Sequence, residues 1–74
     1  MAKFKCYHRT SEGNSGRNCF AEATSKQDAI NACKRKISEL SATRETNTMV
    51  EALELRGFYC IGWSSNILEI EEVE

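Results

Sequence analysis

His8 is the single histidine of the chain, and Cys6, Cys19, Cys33 and Cys60 are its thiols. Acid–base, nucleophilic or metal chemistry would have to be assembled from these side chains and the carboxylates. A Cys–His pair requires His8 to face Cys19 across a hairpin. The alternation of KFKCYHR instead puts His8 on the apolar side of a strand with Phe4 and Cys6, where a packed, hydrogen-bonded histidine is expected. The glycines Gly13 and Gly16 fall in a polar hairpin connection rather than before a helix, so they make no nucleotide fingerprint. No two cysteines stand at the C-x-x-C spacing that closed zinc sites use. All four lie in apolar periodic segments, where a reduced cysteine behaves as a small hydrophobe. A disulfide would require Cys6 and Cys19 to meet across the hairpin. The expectation is a non-enzymatic chain with four buried free thiols, no metal and no cofactor.

Charge points to a second chemistry. Residues 1–40 carry eight basic groups against four acids, and residues 41–74 carry two arginines against seven glutamates, which sum to the net −1. A dedicated DNA-binding domain is basic overall, because phosphate neutralisation supplies most of its affinity. Here Lys3, Lys5, Tyr7 and Arg9 alternate on one strand face, with Phe20 expected to join them from the next strand, and Lys34, Arg35 and Lys36 run together on a helix. A sheet face of this kind can stack and track single-stranded nucleic acid, with Lys5, Tyr7, Arg9, Lys34, Arg35 and Lys36 as the contacts. Glu69 and Glu71 oppose that reading. If the first and last strands are neighbours, these glutamates pair with Lys3 and Lys5 as cross-strand ion pairs.

The third chemistry is apolar recognition. Phe20, Phe58, Tyr59 and Trp63 exceed what a core of this size can enclose once the helix has brought Ile30, Ile37 and Leu40. Period two separates Phe58 and Cys60 from Tyr59, Ile61 and Trp63, so one set must lie outside the main core. Exposed aromatics anchor interfaces. Trp63, with Tyr59 as its same-face neighbour, and Phe20 are the candidate partner contacts, either for a protein partner or for a second copy of the chain.

The elements that position these residues read as β-β-α-(α)-β-β. Lys3–Arg9 and Asn18–Thr24 form a hairpin, the second strand offering a small-residue face of Cys19, Ala21 and Ala23 to a helix. Ser25 with Asp28 opens the main helix as an N-cap, and Ala29, Ile30, Cys33, Ile37 and Leu40 recur as one stripe to about Ser41. A second, short helix is favoured over a strand at Met49–Leu55, capped by Asn47 or Thr48 and closed by Arg56-Gly57. Phe58–Trp63 and Ile67–Val73 are the last strands, turned by Ser64-Ser65-Asn66, with Gly62 marking a bulge or close backbone contact. The result is a small α+β domain, residues 1–74, whose antiparallel sheet carries its helices on one face.

Seventy-four residues leave room for one domain. No apolar run approaches the roughly 20 residues that span a bilayer, and the basic start leads into no apolar stretch. A cytoplasmic chain without a secretory signal or a membrane role is therefore expected. In size and element order alone it is similar to several small α+β domains, phage-encoded inhibitors among them, that bind and block a larger complex. The function expected from the sequence is that of a protein-binding regulator or inhibitor, and the alternative is a weak single-stranded nucleic-acid binder.

Overall fold

The computed structural model describes residues 3–11 and 16–73. It comprises β1 (Phe4–Thr10), β2 (Asn18–Ala23), α1 (Lys26–Glu39), a 3-10 turn (Thr43–Glu45), α2 (Thr46–Leu55), β3 (Phe58–Cys60) and β4 (Asn66–Glu72). The strands form one antiparallel sheet in the order β2-β1-β4-β3, with the helices on one face. This is the α+β arrangement the sequence implies. The middle of the β1–β2 connection, including Gly13, lies outside the described residues.

Helix termini follow local chemistry. Ser25 Oγ accepts from the Asp28 backbone N–H at 3.1 Å, satisfying one of the orphan amides of α1, and Asp28 sits at the positive end of the dipole. At the other end the Ser41 N–H donates to Ser38 O and the Ala42 N–H to Ile37 O, at 3.1 and 3.0 Å. This double bond pattern forces Ser41 to a φ of +62° and tucks Ala42 into the core. α2 begins at Thr46, one or two residues before the expected caps. It has no side-chain cap, because the 3-10 turn feeds directly into it. Gly57 closes it at φ +85°, its N–H reaching Leu53 O at 3.1 Å.

The core lies between the helices and one sheet face. Ile30, Cys33 and Ile37 of α1 and Met49 and Leu53 of α2 meet Cys6, Ile61 and Leu68, all at most 2% exposed. Each of the larger side chains contributes about 1.5–3 kcal/mol by leaving water.

Three expectations are corrected. β2 carries a bulge opposite Cys6/Tyr7: Cys6 pairs with Ala21 but Tyr7 with Cys19. Phe20 is the extra residue, and it packs against the core with Ala21 on the helix side rather than joining Tyr7 on the open face. Cys19 is thereby turned to the open face and is exposed, as is Cys60, so only Cys6 and Cys33 are buried thiols. Tyr7 and Cys6 point to opposite faces of β1, so Cys6 and Cys19 do not meet across the hairpin. Finally, β3 stops at Cys60. Ile61 to Ser64 form a turn (Ser64 N–H to Ile61 O, 3.2 Å), which lifts Trp63 off the strand and uses Gly62 in the turn rather than in a bulge.

Candidate functional site

β3 points Tyr59 inward, and the turn that follows buries Ile61 at its start and points Trp63 outward. Tyr59 is 7% exposed and Trp63 61%. Burying the Tyr59 ring strands its hydroxyl unless an acceptor is supplied. The acceptor is Glu45, from the 3-10 turn ahead of α2, whose Oε1 takes hydrogen bonds from the Tyr59 hydroxyl and from the Gly62 N–H at 3.2 Å. One carboxylate thus ties the start of α2 to the end of β3 and to the residue before Trp63. Glu45's carboxyl is held below its ordinary range by the Tyr59 hydroxyl and then by the Gly62 amide, with the Trp63 indole and Arg44 contributing less. Tyr59 is pushed up to about 12 by burial and by the Glu45 carboxylate.

The far side of the turn is fixed as well. Ile61 N–H donates to Asn66 O at 3.0 Å, and Ser11 N–H to Ser65 O at 2.8 Å. The Asn66 side chain bridges Ser64 Oγ at 3.2 Å and His8 Nε2 at 2.9 Å. With the Asn66 amide nitrogen directed to Ser64, its oxygen faces His8, so Nε2 is the donor of the ring. His8 is therefore the packed, hydrogen-bonded histidine expected. It stands beside Asn18 in the register while Cys19 faces the other side, so no Cys–His pair is assembled. Trp63 is consequently a large exposed ring on a turn held at both ends.

The open sheet face has a different character. β1 presents Lys5, Tyr7 and Arg9; β4 presents Ile67, Glu69 and Glu71; β3 presents Phe58 and Cys60. Glu69 lies 3.6 Å from Arg9, and Arg17 reaches Glu69 and Glu71 at 3.8 and 3.2 Å. Lys5 sits between Glu22 and Glu71 in the register, and Lys3 pairs with Glu22 at 3.3 Å rather than with the β4 glutamates. The ring of Tyr7 is covered by the Arg17 guanidinium, and that of Phe58 by Arg56 at 4.7 Å. Arg9 and Arg17 are matched to acids and the rings of Tyr7 and Phe58 to arginines, whereas among the described residues Lys5 forms no ion pair.

The candidate residues fall into three places. Lys5, Tyr7 and Arg9 share the open face. Lys34, Arg35 and Lys36 lie on α1, across the sheet from them, with Lys36 over the Phe20 ring at 5.4 Å and 3.5 Å from Glu39. Trp63 stands at the sheet end, and its partner candidates do not join it: Tyr59 is inside and Phe20 is beside α1. Sequence reasoning missed Glu45, Asn66 and Arg17. Glu45 had a signal, since a buried tyrosine needs an acceptor; Arg17 sits in a connection whose path no periodicity describes. Among the described residues no three potential metal ligands converge, and no helix is long and apolar enough to cross a membrane.

No protein-family model matches the chain, and no curated protein or solved structure matches it either.

Proposed function

We propose that this domain is a non-enzymatic protein-binding module, a small regulator or inhibitor of a larger assembly, and that Trp63 anchors the partner. One observation carries the reading: a tryptophan 61% exposed on a turn whose backbone is tied to Glu45 on one side and to Asn66 on the other. A pre-positioned indole loses little entropy on binding and gains a large apolar contact, which is why tryptophan dominates interface anchors. The test is affinity capture from the source cells with the wild-type chain and with Trp63→Ala, followed by mass spectrometry. A protein held by the wild type and released by the variant supports the reading, provided the unfolding midpoint of the variant is unchanged. Equal capture by both chains removes Trp63 as the anchor.

A weak nucleic-acid role is the second reading. What favours it is that Lys34 and Arg35 are exposed and make no ion pair among the described residues. Binding of a single-stranded oligonucleotide that falls steeply with salt, and falls further in Lys34→Glu, supports it. Absence of binding at low salt sinks it.

A further inference from the structure

We propose that two copies of this chain pair through the outer edge of β2 and the adjoining side of α1, extending the sheet to eight strands about a two-fold axis. This inference is independent of the role assigned to Trp63.

β2 is an edge strand of six residues with no proline and one charge, Glu22. β3, the opposite edge, has only three residues. Short edges protect themselves from pairing; a longer, weakly charged one does not. The bulge at Phe20 disturbs one half of β2, but Ala21, Glu22 and Ala23 keep regular register with Cys6, Lys5 and Phe4.

Beside this edge the helix does not fill the space. Two adjoining hollows of about 300 and 360 Å³ run between β2 and α1, sharing Ala21, Ala32 and Arg35. Their occupant is set by spacing. α1 packs on β1 and on β2 to the same extent, which sets its axis roughly half a strand spacing inside β2. Adding a second β2 at the usual ~4.8 Å puts the two α1 axes roughly 10 Å apart, which is the contact distance of packed helices. A lone peptide strand would leave the hollows open. A second copy brings its own helix to cover them.

The charges on the exposed side of α1 are self-complementary under that symmetry. Asp28, Asn31, Arg35 and Glu39 share one stripe, at spacings of three, four and four residues. The acid Asp28 lies towards one end and Arg35 towards the other, with Ala21 and Ala32 between them. In an antiparallel pair of helices with the axis beside Asn31, Asp28 of each copy meets Arg35 of the other. The same register brings Glu39 to the N-terminal end of the partner helix, where the dipole favours an anion. Among the described residues neither Asp28 nor Arg35 has an ion-pair partner within its own chain.

Sedimentation equilibrium over a concentration series, with the full chain, tests the proposal. The wild type is expected to be a dimer at millimolar concentration or below. Because each contact occurs twice, Asp28→Arg and Arg35→Asp should each weaken the dimer by at least about tenfold. The double variant Asp28→Arg/Arg35→Asp should recover it. Both positions are exposed, and Arg35→Asp is far from the helix cap, so circular dichroism should show it folded. A wild type that stays monomeric overturns the proposal, including the case in which some other segment occupies the groove. A dimer indifferent to both reversals, or a double variant no better than the singles, overturns it too.

Discussion

The guanidinium carbon of Arg17 lies 3.9 Å from the centroid of the Tyr7 ring, while Nη1 of the same group reaches Glu71 at 3.2 Å. One side chain thus roofs the aromatic at the centre of the open face and joins β4 to the hairpin. These contacts are solvent-facing, with side-chain exposures of 38% for Arg17 and 45% for Glu71. Arg17→Ala should therefore lower stability by only about 0.5–1 kcal/mol. Urea midpoints at low and high salt provide the check: the difference from wild type should shrink as salt rises. A salt-independent loss several times larger would mean that the open face is a second packed layer.

Glu45 and Tyr59 should shape opposite limbs of the stability–pH curve. Folded Glu45 titrates below its ordinary 4.5, so its stabilisation is complete above that value and disappears as pH falls through the lowered one. Folded Tyr59 is raised from 10.0 to about 12, so its stabilisation is complete below pH 10.0 and is lost as pH rises towards the folded value. Tyr59→Phe should flatten the alkaline limb relative to wild type, and Glu45→Gln the acid limb. An alkaline limb of undiminished slope in Tyr59→Phe would disprove the assignment.

The four thiols should divide into pairs. Cys19 and Cys60 are exposed and should label quickly in the native protein. Cys6 and Cys33 are fully buried side by side; the Cys6 thiol and burial push Cys33 up, so it stays protonated and unreactive. Mass spectrometry of the labelled chain should find two modifications under native conditions and four in denaturant. Rapid native labelling of Cys33 would place the α1–β1 contact wrongly.

The two ends of α1 respond oppositely to substitution. Ser25→Ala removes the acceptor for the Asp28 amide and should cost about 0.5–2 kcal/mol. Ser41 carries a side chain at φ +62°, where a Cβ is strained, so Ser41→Gly should gain up to about 1 kcal/mol. Thermal unfolding of the two variants decides both; a destabilised Ser41→Gly contradicts the left-handed geometry.

Legibility from sequence followed the range of the interactions. Ser25 and Gly57 could be read because a cap involves neighbours three or four residues away. The exposure of Trp63 followed from volume, since the helix stripe already fills the core. Phe20 could not be placed, because strict alternation presumes no bulge, and one extra residue reverses every orientation on one side of it. That same extra residue turned Cys19 outward. Tyr59 was misjudged because its acceptor, Glu45, is 14 residues away. The glutamates of β4 were recognised as counter-charges, but Arg17, which takes up two of them, was not.

The central pair of the sheet joins the first strand to the last: Thr10 pairs with Asn66 and Phe4 with Glu72, 56 and 68 positions apart. Neither hairpin can hold the domain together alone, so nearly the whole chain must close on itself before the sheet has a middle, which makes folding slow for so few residues. The same closure brings Val73 N–H to 2.8 Å from Lys3 O. Any polypeptide leading into Lys3 or away from Val73 departs from one corner. A short peptide link between those two points would convert the molecule into a ring without disturbing a strand.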